Sequence, residues 1–281
     1  MSSAFTQHVR RQYGPWAVVT GASDGIGRAF AIELARHGLN LVLVARREPQ
    51  LVALAGELQR THGIRARVLA FDLAQPDSAV RLDAACDDID VGLLVAAAGF
   101  GTSGPLLSSA LAEERSMLSV NCDAVLAQCW WFGQRLRRRG RGGVVLMSSL
   151  LAFQGTPRAA HYAATKAYIQ SLAEGLRIEW APHGVDVIAC APGPIASGFA
   201  QRANMVMNGA DRPATVAQAT LRALGRRGTV RPGLLSKLLG WSLATLPRWV
   251  QVRVIGQVMG GMTAHQQDSS TRAVGGPPAG A

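Results

Sequence analysis

The sequence predicts an α/β protein: one parallel sheet covered by helices on both faces. Three observations carry this. Short, wholly apolar runs recur between stretches of helical periodicity, as in strands buried on both faces. A glycine-rich turn stands where the first such run gives way to the first helix. Gly and Pro markers are spread along all 281 residues, which favours a single continuous domain. Together they describe a doubly wound, Rossmann-type sheet with a C-terminal helical extension.

The elements follow in order. Trp16–Thr20 (WAVVT) is a short β-branched run and reads as a strand. Gly25–His37 has helical periodicity and stops before Gly38, a natural helix end. Asn40–Ala45 (NLVLVA) is a second buried strand, Pro49–His62 a helix ending at Gly63, Arg67–Phe71 a third strand and Pro76–Ala85 another helix. Val91–Ala97 is the fourth strand, and 111–139 is a long helical stretch running into an arginine-rich turn before Gly140. Val144–Met147, Ala159–Ala181 and Val185–Cys190 give strand, helix, strand. Beyond Pro192 the pattern loosens: a loop or short helices over 194–213, then a helix over Pro213–Arg227. The expected organisation is an N-terminal arm over 1–13, the sheet domain over 14–231, an apolar and basic helical extension over 232–262, and a polar, disordered tail over 263–281.

Composition removes several alternatives. Apolar residues make up 48% and aromatics 6% of the chain, which excludes wholesale disorder. Cys86, Cys122, Cys129 and Cys190 form no C-x-x-C and no paired framework, so buried, reduced thiols are expected and no metal site. Met1–Gly14 has no apolar signal core, and the expected location is cytoplasmic. The net charge of +11 is uneven: residues 188–281 hold 10 basic and 2 acidic groups. This asymmetry suits an anionic surface, or it reflects a coding bias, since 27 of the 29 basic residues are Arg. Arg135, Arg137, Arg138, Arg139 and Arg141 end a helix, where cations suit the dipole, and read as a solvated face. No interleaved aromatics accompany them, so no nucleic-acid partner is expected. The longest uncharged run in Pro232–Met262 is about 10 residues, short of the roughly 20 that a membrane span needs.

The turn Thr20-Gly21-Ala22-Ser23-Asp24-Gly25-Ile26-Gly27 can cradle a pyrophosphate. Gly21 permits the tight turn, Gly25 a close backbone approach, and Gly27 close packing of helix on strand. The helix start adds free N–H groups and a positive dipole end. An acid at the end of the second strand would read the ribose of NAD, but that strand ends in Arg46 and Arg47. Either arginine can neutralise a 2′-phosphate, so NADP is favoured over NAD, unless both point to solvent. Asp72, just past the third strand, can accept from an adenine amine or cap the next helix.

Tyr162 and Lys166 stand four apart on one helical face. With three Tyr and two Lys in the chain, chance supplies about 0.02 such pairs. Ser149 lies 13 residues earlier, at a strand's carboxyl end, where open α/β sheets bind ligands. A Tyr that ionises near pH 10 is a poor base at neutrality, and a nearby ammonium is expected to lower that value. Ser149 can donate to an oxygen that gains negative charge. His161 points elsewhere on the helix and reads as structural.

At these residues the sequence resembles the tyrosine-dependent short-chain dehydrogenases/reductases. The likeness rests on TGASDGIG at 20–27, FDL at 71–73, Asn121 in SVNCDAV, MSS at 147–149, YAATK at 162–166 and APGPIAS at 191–197, in order over about residues 14–200. The resemblance implies that Tyr162 is the general acid and base, with Lys166 holding the nicotinamide ribose. It implies that Ser149 orients the substrate oxygen and that Asn121 places a relay water. It implies a cofactor site drawn from Gly21, Ser23, Asp24, Gly25, Ile26, Gly27, Arg46, Arg47, Asp72, Leu73, Ala98 and Gly99. Asn121, Tyr162, Lys166, Pro192, Gly193, Ile195 and Ser197 complete it. Two departures stand out. The family often reads Asn-Asn-Ala-Gly where this chain reads Ala96-Ala97-Ala98-Gly99, removing an amide that would tie the strand to its neighbours. Asp24 stands where some NADP-dependent members carry a basic residue.

The function implied is an NADP-dependent oxidoreductase acting on an apolar ketone or secondary alcohol, lipid-, acyl- or steroid-like. A 3-oxoacyl or polyol reductase, and a dinucleotide-binding regulator with little turnover, are the alternatives. The apolar 194–210 segment is expected to wall the substrate. Leu234–Met262, with Lys237, Trp241, Arg248, Trp249 and Arg253, can cover the pocket, extend a dimer contact or lie on a membrane surface. By resemblance the protein is a homodimer or homotetramer, with Trp130 and Trp131 at a subunit interface or in the core.

Overall fold

A computed structural model describes residues 3–206, 210–233 and 245–266. Seven parallel strands form one sheet: β1 (Trp16–Thr20), β2 (Asn40–Ala45), β3 (Ala66–Ala70), β4 (Val91–Ala96), β5 (Gly142–Met147), β6 (Val185–Cys190) and β7 (Thr229–Val230). Their spatial order is β3-β2-β1-β4-β5-β6-β7. The order reverses between β1 and β4, so the two connections leave to opposite faces and open a crevice at the strands' carboxyl ends. That crevice is where the predicted motifs converge.

The strands are apolar throughout because both faces are covered. In β1, Ala17 and Val19 point to one core, while Trp16 and Val18 point to the other. The first core is closed by α1 (Ser3–Tyr13), α2 (Gly25–Arg36), α3 (Glu48–His62) and α9 (Pro213–Ala223), through Val9, Phe30, Leu51 and Leu221 among others. The second is closed by α4 (Ser78–Ala84), α6 (Ala124–Arg139) and α7 (Ala160–Trp180), through Leu82, Phe132 and Ile169.

The structure departs from the sequence reading in several places. The expected N-terminal arm is helix α1, anchored by buried Val9 and Tyr13, one turn apart, with the Tyr13 hydroxyl donating to Asp186 at 2.9 Å. The long helix expected over 111–139 is two helices, α5 (Leu111–Leu118) and α6, joined by a π-helical turn over Ser119–Asp123. One inserted residue re-aims the side chains that follow, and Asn121 sits inside this turn. Arg135 and Arg139, expected on a solvated face, are tied down instead. Arg135 bridges Asp83 and Asp87, and Arg139 pairs with Asp90 at 2.8 Å while donating to the Gly14 carbonyl. They close the loop ends against α6. Trp130 is 59% exposed, so the core-packing alternative does not hold for it.

The C-terminal extension includes α10 (Arg248–Met262), which returns across the sheet's carboxyl edge beside the short helix α8 (Phe199–Arg202). Residues 263–266, expected in the tail, are bonded to the body; Lys237, Trp241 and the rest of the expected tail, 267–281, lie outside the described residues. No helix among the described residues is long and apolar enough to cross a membrane. Among them, no cluster of metal-ligating side chains occurs, and all four cysteines are buried and free.

Candidate active site

A cleft of about 720 Å³ runs along the carboxyl edge of the sheet. Every residue the sequence nominated for the site lines it except Asn121. The cleft has two ends of different construction.

The first end is made by backbone. Gly21 has φ +68°, and a Cβ there would lie 2.9 Å from the Ala97 and Ala98 main chain. A Cβ on Gly27 would lie 2.3 Å from the Gly21 carbonyl oxygen. Only glycine lets the turn close this tightly on β4 and α2. Asp24 caps α2 by accepting from Gly25 N at 2.7 Å, and its other oxygen accepts from Gly198 N at 3.2 Å. The acid thus fastens the turn to the loop after β6. Arg47 donates to Ser23 Oγ through Nε at 3.3 Å and Nη2 at 3.1 Å. Arg46 faces Asp72 at 3.8 Å. Asp72 also accepts from Ala74 N at 3.0 Å, whereas Asp77 holds the cap position of α4. The capping alternative for Asp72 is therefore removed. This cradle of glycines, helix-start N–H groups, Ser23 and two arginines fits the phosphates of a dinucleotide.

The missing amide after β4 is replaced from two sides. Thr20 Oγ1 accepts from Ala98 N at 3.2 Å and donates to Val95 O at 3.5 Å. Asn121 accepts from Phe100 N at 3.1 Å, then donates to Phe100 O at 2.9 Å and to Thr165 Oγ1 at 3.1 Å. Its buried side chain is spent on bracing the β4 loop against α7. It stands behind the cleft wall, with its amide protons already committed to Phe100 and Thr165.

The middle of the cleft holds the polar trio. Ser149 starts a 3₁₀ turn after β5, its Oγ accepting from Leu151 N at 3.2 Å, and its hydroxyl is close enough to the Tyr162 phenol to influence its titration. Lys166, one turn along α7, donates from Nζ to Met147 O at 2.9 Å and sits 5.7 Å from the Tyr162 ring centre. Tyr162 and Lys166 are 7% and 6% exposed, so desolvation governs both. Burial pushes the Tyr162 phenol up to about 12, with the Ser149 hydrogen bond pulling it down. Burial brings Lys166 down to about 8. The phenol therefore stands above its ordinary value because of burial, where the sequence reading expected a neighbouring ammonium to bring it below. His161 pairs with Glu114 at 2.6 Å, away from the trio, and ties α7 to α5.

The second end is made by side chains. Phe100, Tyr162, Phe199, Met205, Ile255 and Met259 form one apolar cluster, and the Phe199 ring lies 5.4 Å from that of Tyr162. Of the uses open to the C-terminal segment, α10 takes that of pocket cover. Val206 N donates to Met262 O at 3.0 Å, and Gln266 donates to Ser103 Oγ at 2.8 Å and Asn204 O at 2.7 Å. Apart from Tyr162, the sequence pointed to these lining side chains only through the 194–210 segment and the apolar C-terminus, and to Phe100 not at all. Their signal was apolar content alone, which core residues share.

The chain matches the short-chain dehydrogenase family over residues 15–207. It belongs to that family. Short-chain dehydrogenases are oxidoreductases of CH–OH and C=O groups, and this chain is one of them. It is 33% identical over 181 residues to the 7β-hydroxysteroid dehydrogenase of Collinsella aerofaciens, covering 64% of this chain and 68% of that one. It is 40% identical over 179 residues to the very-long-chain 3-oxoacyl-CoA reductase of Podospora anserina, covering 62% of this chain and about half, 53%, of that longer relative. Its fold is similar to that of a short-chain dehydrogenase from Sphingobium yanoikuyae solved with NADPH, with a TM-score of 0.75, 27% identity, and coverage of 84% and 97%.

Proposed function

We propose that this short-chain dehydrogenase is an NADP-dependent reductase of bulky apolar ketones, working in reverse on the matching secondary alcohols. The observation that carries this is the meeting of a buried Ser149–Tyr162–Lys166 trio with an apolar chamber walled by α8 and α10. Arg46, Arg47 and Ser23 would hold the 2′-phosphate of the cofactor. The Sphingobium relative's NADPH supports that choice. When bound, the reduced nicotinamide supplies the hydride.

The chain's own groups would do the rest. Ser149 Oγ donates to the substrate carbonyl oxygen and fixes it beside Tyr162. A phenol pushed up to about 12 is protonated at neutral pH, the form needed to give a proton to the oxygen as charge builds there. Lys166, cationic below about pH 8, places positive charge beside the phenolate left behind. Phe199, Met205, Ile255 and Met259 exclude water and bind an apolar body. The hydroxysteroid dehydrogenase relative supports a fused-ring body, and the oxoacyl-CoA reductase relative a chain-like one. The apolar lining does not suit a polyol.

The test is NADPH oxidation by purified protein over ketones graded in chain length and ring size, with NADH and Tyr162→Phe as controls. Turnover should rise with apolar size, prefer NADPH and fall at least about a thousandfold in Tyr162→Phe with NADPH binding kept. Preference for small polar ketones, or Tyr162→Phe activity close to wild type, would overturn the reading.

A further inference from the structure

The apolar chamber carries a cation that the ketone chemistry above does not use. Arg202, the last residue of α8, lines the cleft at its substrate end. Its guanidinium lies 4.8 Å over the Phe100 ring, and Phe100 belongs to the same cluster as Tyr162. Among the described residues the lining acids are Asp24 and Asp72, and both stand at the cofactor end, bonded to Gly25, Gly198 and Ala74. At the substrate end Arg202 is accompanied by Gln201 and by apolar side chains of α8 and α10. Its counter-charge is Glu113 on α5, at 3.4 Å, with both side chains about half exposed. An exposed pair of that kind contributes little and is readily replaced.

We infer that Arg202 reads a carboxylate at the far end of the substrate, so that this enzyme's ketone is an amphipathic acid rather than a neutral lipid. The inference rests on the proposed ketone reduction at Tyr162. A guanidinium that packs over an aromatic ring can still offer its N–H groups for a two-pronged bond with a carboxylate in place of Glu113. The apolar body would fill the space between Phe199, Met205 and Met259, with its reacting carbonyl at Ser149 and its acid at the lip. Among the described residues Arg202 is the cation lining that end, and one cation matches one carboxylate. A carrier with several phosphates would call for more positive charge than Arg202 supplies, and the other lining arginines, Arg46 and Arg47, stand at the opposite end.

The closing experiment uses one bulky apolar ketone as a matched pair: a terminal carboxylate and its methyl ester. Wild type should favour the carboxylate in kcat/KM. In Arg202→Met the carboxylate-to-ester ratio should drop about tenfold or more, through KM and not kcat. Arg202→Lys, which keeps the charge and loses the fork, should fall between. Glu113→Gln removes the competing carboxylate and should move the ratio the other way. Raised salt should weaken the preference in wild type and leave Arg202→Met unmoved. Ester turnover with a ratio unchanged in Arg202→Met overturns this inference alone. Failure of wild type to turn over either ketone, with NADPH bound, overturns the ketone-reductase reading and this inference with it.

Discussion

The two ends of the cleft are built from different materials. At the cofactor end the walls are main chain: Gly21, Gly25, Gly27 and Gly99 on loops pinned by Thr20, Asp24 and Asn121. At the substrate end the walls are side chains from α8 and α10, held to the body by a few polar bonds such as Val206 to Met262 and Gln266 to Ser103. A wall of main chain tolerates no added atom. A wall of side chains can be resized one residue at a time. The contrast separates a fixed recognition surface from an adjustable one within a single crevice.

The sharpest way to break the contrast is Gly27→Ala. Its Cβ would collide with the Gly21 carbonyl, so the helix start must shift. The expected outcome is loss of measurable NADPH binding and a stability drop of about 3 kcal/mol, read by calorimetry. If Gly27→Ala binds NADPH normally, the main-chain wall is not rigid.

The matching change at the other end is Met259→Ala. Met259 is 2% exposed in the cluster around Tyr162. Its truncation should cost about 2 kcal/mol, the low end for a buried Met because the open cleft leaves room to relax. NADPH affinity should stay put while the preferred ketone grows bulkier, which a substrate series would register. An equal loss of cofactor affinity would mean the two ends are coupled.

A smaller effect is expected from Arg47→Gln. Removing the charge that meets Ser23 should weaken NADPH binding about tenfold and leave NADH binding nearly unchanged, as fluorescence titration with both cofactors would show. Parallel loss for both cofactors would assign Arg47 to the turn's structure instead.

The smallest concerns Glu114. Burial pushes its carboxyl up, but hydrogen bonds from His161, Ser109 and Thr102 outweigh this and hold it below the ordinary glutamate value. A depressed carboxyl stabilises the fold above its unfolded pKa, and that contribution fades as pH falls through the lower folded value. Glu114→Gln should therefore be less stable than wild type near neutrality, with the gap closing below about pH 4. A gap that persists at low pH would place the stabilisation in packing.

The same contrast explains what could be read in advance. β1, β2, β4, β5 and β6 are apolar on both faces, so each announced itself as a buried strand. The glycine turn, Ser149, Tyr162 and Lys166 were legible because their chemistry is bound to short local spacings. The π-helical turn at Ser119–Asp123 was not, since one inserted residue barely disturbs periodicity over a long helix. Helix α1 escaped because Val9 and Tyr13 are its buried residues and, Ala4 and Phe5 apart, the rest is polar or basic. Two-residue β7 is too short to carry a pattern. The substrate wall was hidden for a different reason. Phe100, Met205 and Met259 meet only through the fold, and nothing local distinguishes a pocket methionine from a core one. Tyr162 misled in one respect: its neighbour's charge is visible in sequence, whereas the burial that raises the phenol is not.

The position of α10 along the chain has a consequence for biosynthesis. The sheet is complete once Val230 has been made, and every residue lining the glycine-turn end of the cleft precedes that point. Ile255, Val258, Met259 and Met262 leave the ribosome later. During translation the glycine-turn end of the cleft can therefore assemble before the α10 side of the apolar wall exists. The apolar wall is thus completed by α10, after the sheet and the glycine turn have been made.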